Sequence, residues 1–280
     1  MTAQLKIFAP LWGSNDLAPE QFIQRAIDAG FDGVEISLPD DEKATQHWLD
    51  LLAQAKLPWI GQQWQTVFAR DFTEHQAILS RTLEQVCAAQ PLKVNSHTGK
   101  DFYTQQQNLL LIDLAEAIAA RHGVELVHEI HRSRFTAHPV ILQPYLQLRP
   151  TLRLNADLSH WCCVCESLLE DQEEMLEQVF AYVSHIHARV GYQQGPQVND
   201  FRAPEHAPAL QRHLGWWRHI VARQLQAGTQ VLTITPEFGP APYTQNLPYT
   251  QAVVSDSWQL NVAMRDLLNH EFAAYRSSTV

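Results

Sequence analysis

Residues 124–161 read VELVHEIHRSRFTAHPVILQPYLQLRPTLRLNADLSHW, and this stretch decides the fold. A short β-rich run, VELVHEIH, is followed by a helix-forming segment and then by a second run, LRLNADLSH, 28 residues after the first. That interval is the length of one strand-plus-helix unit. Working outward in both directions, the same alternation recurs, with strands predicted to begin near Lys6, Gly33, Trp59, Lys93, Glu125, Arg153, His185 and Gln230. Amphipathic segments such as PEQFIQRAIDAG, TQQQNLLLIDLAEAIAARHG and DQEEMLEQVFAYV fall between them, with apolar residues at helical spacing. Gly30 and Gly123 close two of these segments, where a helix C-cap favours a left-handed residue. A last helix is expected within SDSWQLNVAMRDLLNHEFAAYRSS. Eight strands each followed by a helix predict a single (β/α)8 TIM barrel of the α/β class, one domain over residues 1–280. A doubly wound open sheet is the competitor, but no G-x-G-x-x-G follows the first strand.

The polar residues of these strands sit at their ends and share a parity. Asn95 pairs with His97, Glu129 with His131, His185 with His187 and Arg189, and Thr233 with Thr235 and Glu237; Asp157 ends the sixth strand. In a barrel, alternate residues point inward, and strand ends with the loops after them form the catalytic face. Buried polar columns cost desolvation unless something pairs with them. Glu129, Asp157, His187 and Glu237 together make a hard, mainly oxygen donor set suited to one divalent metal ion: Mn²⁺, Mg²⁺ or Co²⁺, with Zn²⁺ the alternative. Without a cation, three converging carboxylates repel and raise one another's pKa.

Several short motifs in strand order, GFDGVEI (30–36), NSH (95–97), HEIHRSR (128–134), DLSHW (157–161), HIH (185–187) and PEFGP (236–240), resemble the xylose-isomerase-like TIM-barrel superfamily, the sugar phosphate isomerase/epimerase family. The resemblance spans essentially the whole chain. It implies that Glu129, Asp157, His187 and Glu237 are metal ligands, and that Glu129 and Glu237 are also the catalytic acid/base pair. It further implies that His160 contacts substrate or, in the AP endonucleases of the superfamily, a second metal. The expected activity is a metal-dependent isomerase or epimerase that moves a proton at a carbon next to the carbonyl of a ketose or keto-polyol. A dehydratase or lyase on a related keto-polyol is the alternative, followed by an AP-endonuclease-like nuclease and a non-catalytic sugar-binding barrel. Ketose epimerases carry a Glu and then an Arg a few residues after the seventh-strand His, whereas here Arg189 stands only two residues on. The endonucleases' extra third-strand His is absent from PWIGQQWQT, and so is a D-x-H from residues 191–208.

Further binding candidates are His97 and Arg189, and an aromatic wall of Trp12 and Trp64, with Phe102 and Trp161 also at strand ends. Arg132, Arg134 and Lys100 read as solvated loop charges, with phosphate or carboxylate binding the alternative. Cys162, Cys163 and Cys165 read as a buried helix start, and Glu35 as a residue that orients a neighbour. The segment Gly191–Pro208 is expected to form a mobile flap over the pocket. Thirty acidic against twenty basic residues give a net charge of −10, which argues against a nucleic-acid partner. The longest apolar stretches, such as Leu109–Ile112, are too short for a bilayer. With no export signal and only four cysteines, the expectation is a cytoplasmic enzyme acting on a small sugar or polyol, its assembly left open between monomer and homo-oligomer.

Overall fold

A computed structural model describes residues 4–276. Eight parallel strands, β1 (Gln4–Pro10), β2 (Gly33–Ile36), β3 (Trp59–Gln63), β4 (Lys93–Ser96), β5 (Glu125–Glu129), β6 (Leu154–Ala156), β7 (Val183–His187) and β8 (Val231–Thr235), pair in chain order. β8 closes on β1, so the fold is a closed (β/α)8 barrel. Among the described residues nine α-helices lie between and after them: α1 (Pro19–Asp28), α2 (Glu42–Ala55), α3 (Phe72–Ala88), α4 (Gln105–His122), α5 (Pro139–Leu148), α6 (Ser159–Val164), α7 (Glu173–Phe180), α8 (Ala207–Gln226) and α9 (Ser257–Glu271). Among the described residues, no helix is long and apolar enough to cross a membrane.

Local chemistry starts and stops these helices. The side chains of Asp41, Asp71, Thr104 and Asp256 accept backbone N–H groups at the starts of α2, α3, α4 and α9, satisfying donors the helix cannot. Gly123 caps α4 and Gly30 follows α1, both at positive φ, as their positions in sequence predicted. Outward-facing residues such as Val94, Leu126, Ile186 and Ile234 join helix residues such as Phe22, Leu83, Leu111 and Trp217 in one continuous core. Each fully buried side chain of this kind contributes about 1.5–3 kcal/mol.

Two details depart from the strand starts predicted. β1 and β7 begin two residues earlier than their polar or charged landmarks, because a neighbouring backbone is there to pair with them. β6 has only three residues, and its register with β7 slips between Leu154 and Asn155, leaving Ser184 as the extra residue. The fully buried Lys93 donates from Nζ to the Ser184 carbonyl at 2.7 Å, holding that irregularity in place. His185 and His187 then point into the barrel, and the chain leaves β7 toward Arg189.

The segment expected as a flap does not lie over the cavity. Its first part is packed down: Val198 and Phe201 are buried, and the Val198 N–H bonds the Val190 carbonyl. The buried Gln197 amide donates to the Gly239 carbonyl (3.1 Å) and Thr244 Oγ1 (2.8 Å) and accepts from Gly239 N–H (2.8 Å). No residue of this segment lines the cavity described below. The run without a helix is longer after β8, residues 236–256, and it supplies Tyr243 to the cavity. The interval count between strands missed it because no ninth strand follows.

Candidate metal and substrate site

At the C-terminal end of the barrel, Glu129 ends β5, Asp157 follows β6, His187 ends β7 and Glu237 follows β8. One donor atom from each lies within 4.8 Å of all the others. His187 Nδ1 is 2.9 Å from Glu237 Oε2 and 3.8 Å from Glu129 Oε2. On the other side of the ring, His187 Nε2 meets Glu35 Oε1 at 3.0 Å. That contact fixes the N–H on Nε2, so the Nδ1 lone pair faces the carboxylates, as a carboxylate behind a metal-binding imidazole does. Nδ1 is buried and has no hydrogen-bond partner of adequate geometry.

The electrostatics have the signature of a cluster that wants positive charge. Burial pushes the Asp157 carboxyl up to about 6; Arg189 opposes this, and the Glu237 and Glu129 charges add to it. Burial pushes His187 down, yet Glu237, Glu35 and Glu129 carry it well above the usual imidazole range. Burial raises Glu129 as well, but His97 and His187 hold it well below the usual carboxylate range. A divalent cation supplies the charge that a proton on His187 and the Arg189 guanidinium otherwise supply. Three carboxylates and one imidazole, whose Nδ1 offers its lone pair once that proton leaves, therefore fit such an ion.

Around this cluster runs a layer of supporting contacts. Glu129 Oε2 accepts from Asn95 Nδ2 at 2.6 Å and contacts His97 Nε2 at 3.0 Å. Gln62 Nε2 reaches both Glu35 Oε1 (3.2 Å) and Glu237 Oε1 (3.4 Å). Asp157 Oδ1 accepts from Ser159, and Oδ2 from Arg189, whose Nη1 is also 3.4 Å from Glu237 Oε2. Two other groups, Glu35–His185–His187 and His97–Glu129–His131, also hold donors within 4.8 Å. In the first, His185 is already held between Glu35 and Thr233 and Glu35 also accepts from Thr235, leaving no donor facing an open position.

A cavity of about 390 Å³ opens above the cluster. Of the residues singled out in sequence, Glu129, Glu237, His97, Arg189, Trp12 and Trp64 line it. Asp157 and His187 lie beneath, in the cluster but off the wall. His160, expected at the substrate, is fully buried behind Arg189 instead. Its Nε2 is 2.8 Å from Arg189 Nη2 and its Nδ1 is 2.8 Å from Arg132 Nη1. A neutral imidazole has one lone pair, so only one of these guanidinium contacts can be a hydrogen bond at a time. Phe102 is 75% exposed and off the cavity, while Trp161 is buried with its Nε1 donating to the Thr136 carbonyl. Arg132, Arg134 and Lys100 do not line the cavity. Cys162 is buried and Cys163 and Cys165 are half-buried, with burial pushing the Cys162 thiol up. Glu35 orients His187 and His185, the role read for it. Sequence reasoning missed Asn15, Ser37, Gln62, Gln63 and Tyr243 on the wall. Inward parity on β3 could have found Gln62, but nothing local marks Asn15 or Tyr243.

The eight-stranded closure makes the chain a (β/α)8 TIM barrel that gathers a polar cluster at one end of its strands. A Mycobacterium smegmatis xylose isomerase-like TIM-barrel protein, solved in complex with magnesium, superposes with a TM-score of 0.64 over 97% of this chain and 98% of its own, at 13% identity. A probable 3-DHS dehydratase from Bacillus anthracis follows at 0.62, with 14% identity and 96% and 99% of the two chains covered. The apo form of a 3-keto-D-glucoside 4-epimerase from E. coli gives 0.61, with 14% identity and 95% and 100% covered. No protein-family model matches the chain, and no curated protein matches it in sequence. At these identities the likeness is one of fold.

Proposed function

We propose that the protein is a divalent-metal-dependent isomerase or epimerase that transfers a proton at a carbon next to the carbonyl of a ketose or keto-polyol. The observation that carries this reading is the division of the cluster. Glu129 and Glu237 reach the cavity wall from β5 and β8, while Asp157 and His187 stay beneath. Glu129, Asp157, His187 and Glu237 would hold the ion, Mn²⁺, Mg²⁺, Co²⁺ or Zn²⁺. Bound there, it supplies Lewis acidity to a carbonyl and its neighbouring hydroxyl. The chain does the rest. One glutamate takes the proton from carbon and the other returns one from the opposite face. Asn95 and His97 hold Glu129, Gln62 holds Glu237, and Glu35 sets the tautomer of His187. Arg189 meets the cavity from within the cluster, where its guanidinium holds Asp157 and Glu237 in place. The 3-keto-D-glucoside 4-epimerase among the structural neighbours supports this reading, and the dehydratases among them favour loss of water as the second one.

The test is incubation of Mn²⁺-loaded protein with a panel of ketoses and keto-polyols in D₂O. Deuterium is expected at the carbon beside the carbonyl, and Glu237→Gln should abolish it, with metal content measured in the same sample. Turnover without solvent deuterium would indicate a hydride shift, and loss of water the dehydratase. No exchange with any of the panel would leave a sugar-binding barrel.

A further inference from the structure

The cavity wall also carries information about what kind of sugar fits. We propose that the substrate is an uncharged keto-sugar bearing a second ring or an aglycone: the reacting ring sits among the carboxamides of the cavity and the substituent lies on an aromatic platform at its mouth. This deepens the proposed reaction at the same site and rests on that reading for the nature of the reacting ring.

Three observations carry it. The first is charge. Arg189 is the only Lys or Arg on the cavity wall, and it is already committed to Asp157 and Glu237. Arg132 is turned onto His160 and the Tyr243 ring, 4.9 Å from its centroid, and Arg134 is buried with Nη1 on the Ser133 carbonyl. The residues outside the described range hold no Lys or Arg. A phosphate or carboxylate would enter beside Glu129 and Glu237 with no free guanidinium to take it.

The second is unmet hydrogen bonding. Asn15, Gln62, Gln63 and Asn95 line the cavity; Gln62 Nε2 and Asn95 Nδ2 are taken by carboxylates and Gln63 Oε1 by Ser96, which leaves the other end of each of these carboxamides for a sugar hydroxyl. Gln63 Nε2 and Asn95 Oδ1 are buried and without a partner. A buried polar atom left so is costly, and hydroxyls of a neutral sugar would complete both.

The third is the aromatic surface that leads outward. Trp12 and Tyr243 meet edge to face on one wall, with centroids 4.8 Å apart. Trp64 lines the cavity, with its Nε1 donating to Ser37 Oγ at 3.1 Å, and its ring lies 5.4 Å from that of Phe68. Phe68 is 67% exposed and Val67 45%. The apolar face is thus continuous from inside the cavity to solvent, and continuity with the pocket names its occupant as the outer part of the same ligand.

The experiment is calorimetric titration of Mn²⁺-loaded protein with three probes whose anomeric carbon is blocked, so that none has a free carbonyl: methyl β-glucoside, phenyl β-glucoside and methyl β-glucoside 6-phosphate. Phenyl glucoside is expected to bind about three- to tenfold tighter than methyl glucoside, the range of one aromatic contact. The 6-phosphate is expected to bind at least about tenfold weaker than methyl glucoside. Phe68→Ala should bring the phenyl glucoside affinity to within about twofold of that for methyl glucoside. A preference for the phosphate, equal affinities or no binding of any probe would overturn the proposal. So would light scattering that finds a dimer dissociated by Phe68→Ala, since the platform would then be an interface between copies of the chain. Because these probes have no ketone, their binding is independent of solvent exchange. Failure of exchange alone leaves this proposal standing, and the reverse also holds.

Discussion

Glu35 reaches no part of the cavity wall, yet its two oxygens meet His187 and His185 and accept from Thr235 and Gln62. Its effect on a bound ion would pass through one imidazole. Glu35→Gln keeps the shape but offers an amide whose orientation no longer requires N–H on Nε2 of His187. The expected result is metal affinity lower by about 10- to 100-fold, with the same secondary structure by circular dichroism. Unchanged affinity would mean that the four cluster residues orient themselves. Asp157→Asn should weaken the metal too, by direct loss of a ligand, while the fold survives. The residue types for this cluster were legible in sequence, since acids and imidazoles at strand ends are costly without a partner. Parity also marked Asn95 as inward, but not the carboxylate it would hold, because an amide has the same local appearance whichever group it faces.

At the scale of elements, the loop after β7 and the loop after β8 hold each other. Gln197 completes both polar groups of Gly239, two residues beyond Glu237, and also reaches Thr244. Gln197→Ala leaves the buried Gly239 N–H unpaired, at a cost of about 1–3 kcal/mol, while the Gly239 carbonyl keeps the Thr244 hydroxyl. The midpoint of urea unfolding should drop accordingly, and turnover should fall with it because Glu237 loses its anchored neighbour. A variant as stable as the parent would restore the idea of residues 191–208 as a loose lid. Length alone suggested a lid; the packing of Gln197, Val198 and Phe201 decides against it.

Across the whole molecule, buried imidazoles contribute to the response to acid. His75 and His213 are fully buried and neither touches the carboxylate cluster. Burial pushes each down from 6.5 to about 4, with Lys100 and Arg134 adding to the effect at His75. Between pH 6.5 and 4 the unfolded chain binds protons that the folded one refuses. The stabilisation is therefore present above pH 6.5 and is lost as pH falls toward 4. Each group contributes a slope of up to about 1.4 kcal/mol per pH unit. His75 Nε2 accepts from Gly99 N–H at 3.1 Å, and His75→Gln can keep that acceptor. Urea unfolding at several pH values should find a shallower slope for this variant; an unchanged slope would assign the acid response to other groups.

Period and parity belong to the chain. The spacing of β-rich runs, the apolar stripes between them and the alternation of polar with apolar residues determined eight strand–helix units and put Glu129, Asp157, His187 and Glu237 at one end of a barrel. These are local properties, because a strand repeats every two residues and a βα unit every thirty or so. Closure decided the remainder. Only when β8 pairs with β1 does Tyr243 face Trp12 and does Gln62 reach Glu237 across 175 residues of chain, and only the packing of the ends of β6 and β7 sets His160 behind Arg189 instead of onto the wall. Contacts between residues so distant in sequence depend on register and on loop packing, which no short stretch of sequence contains.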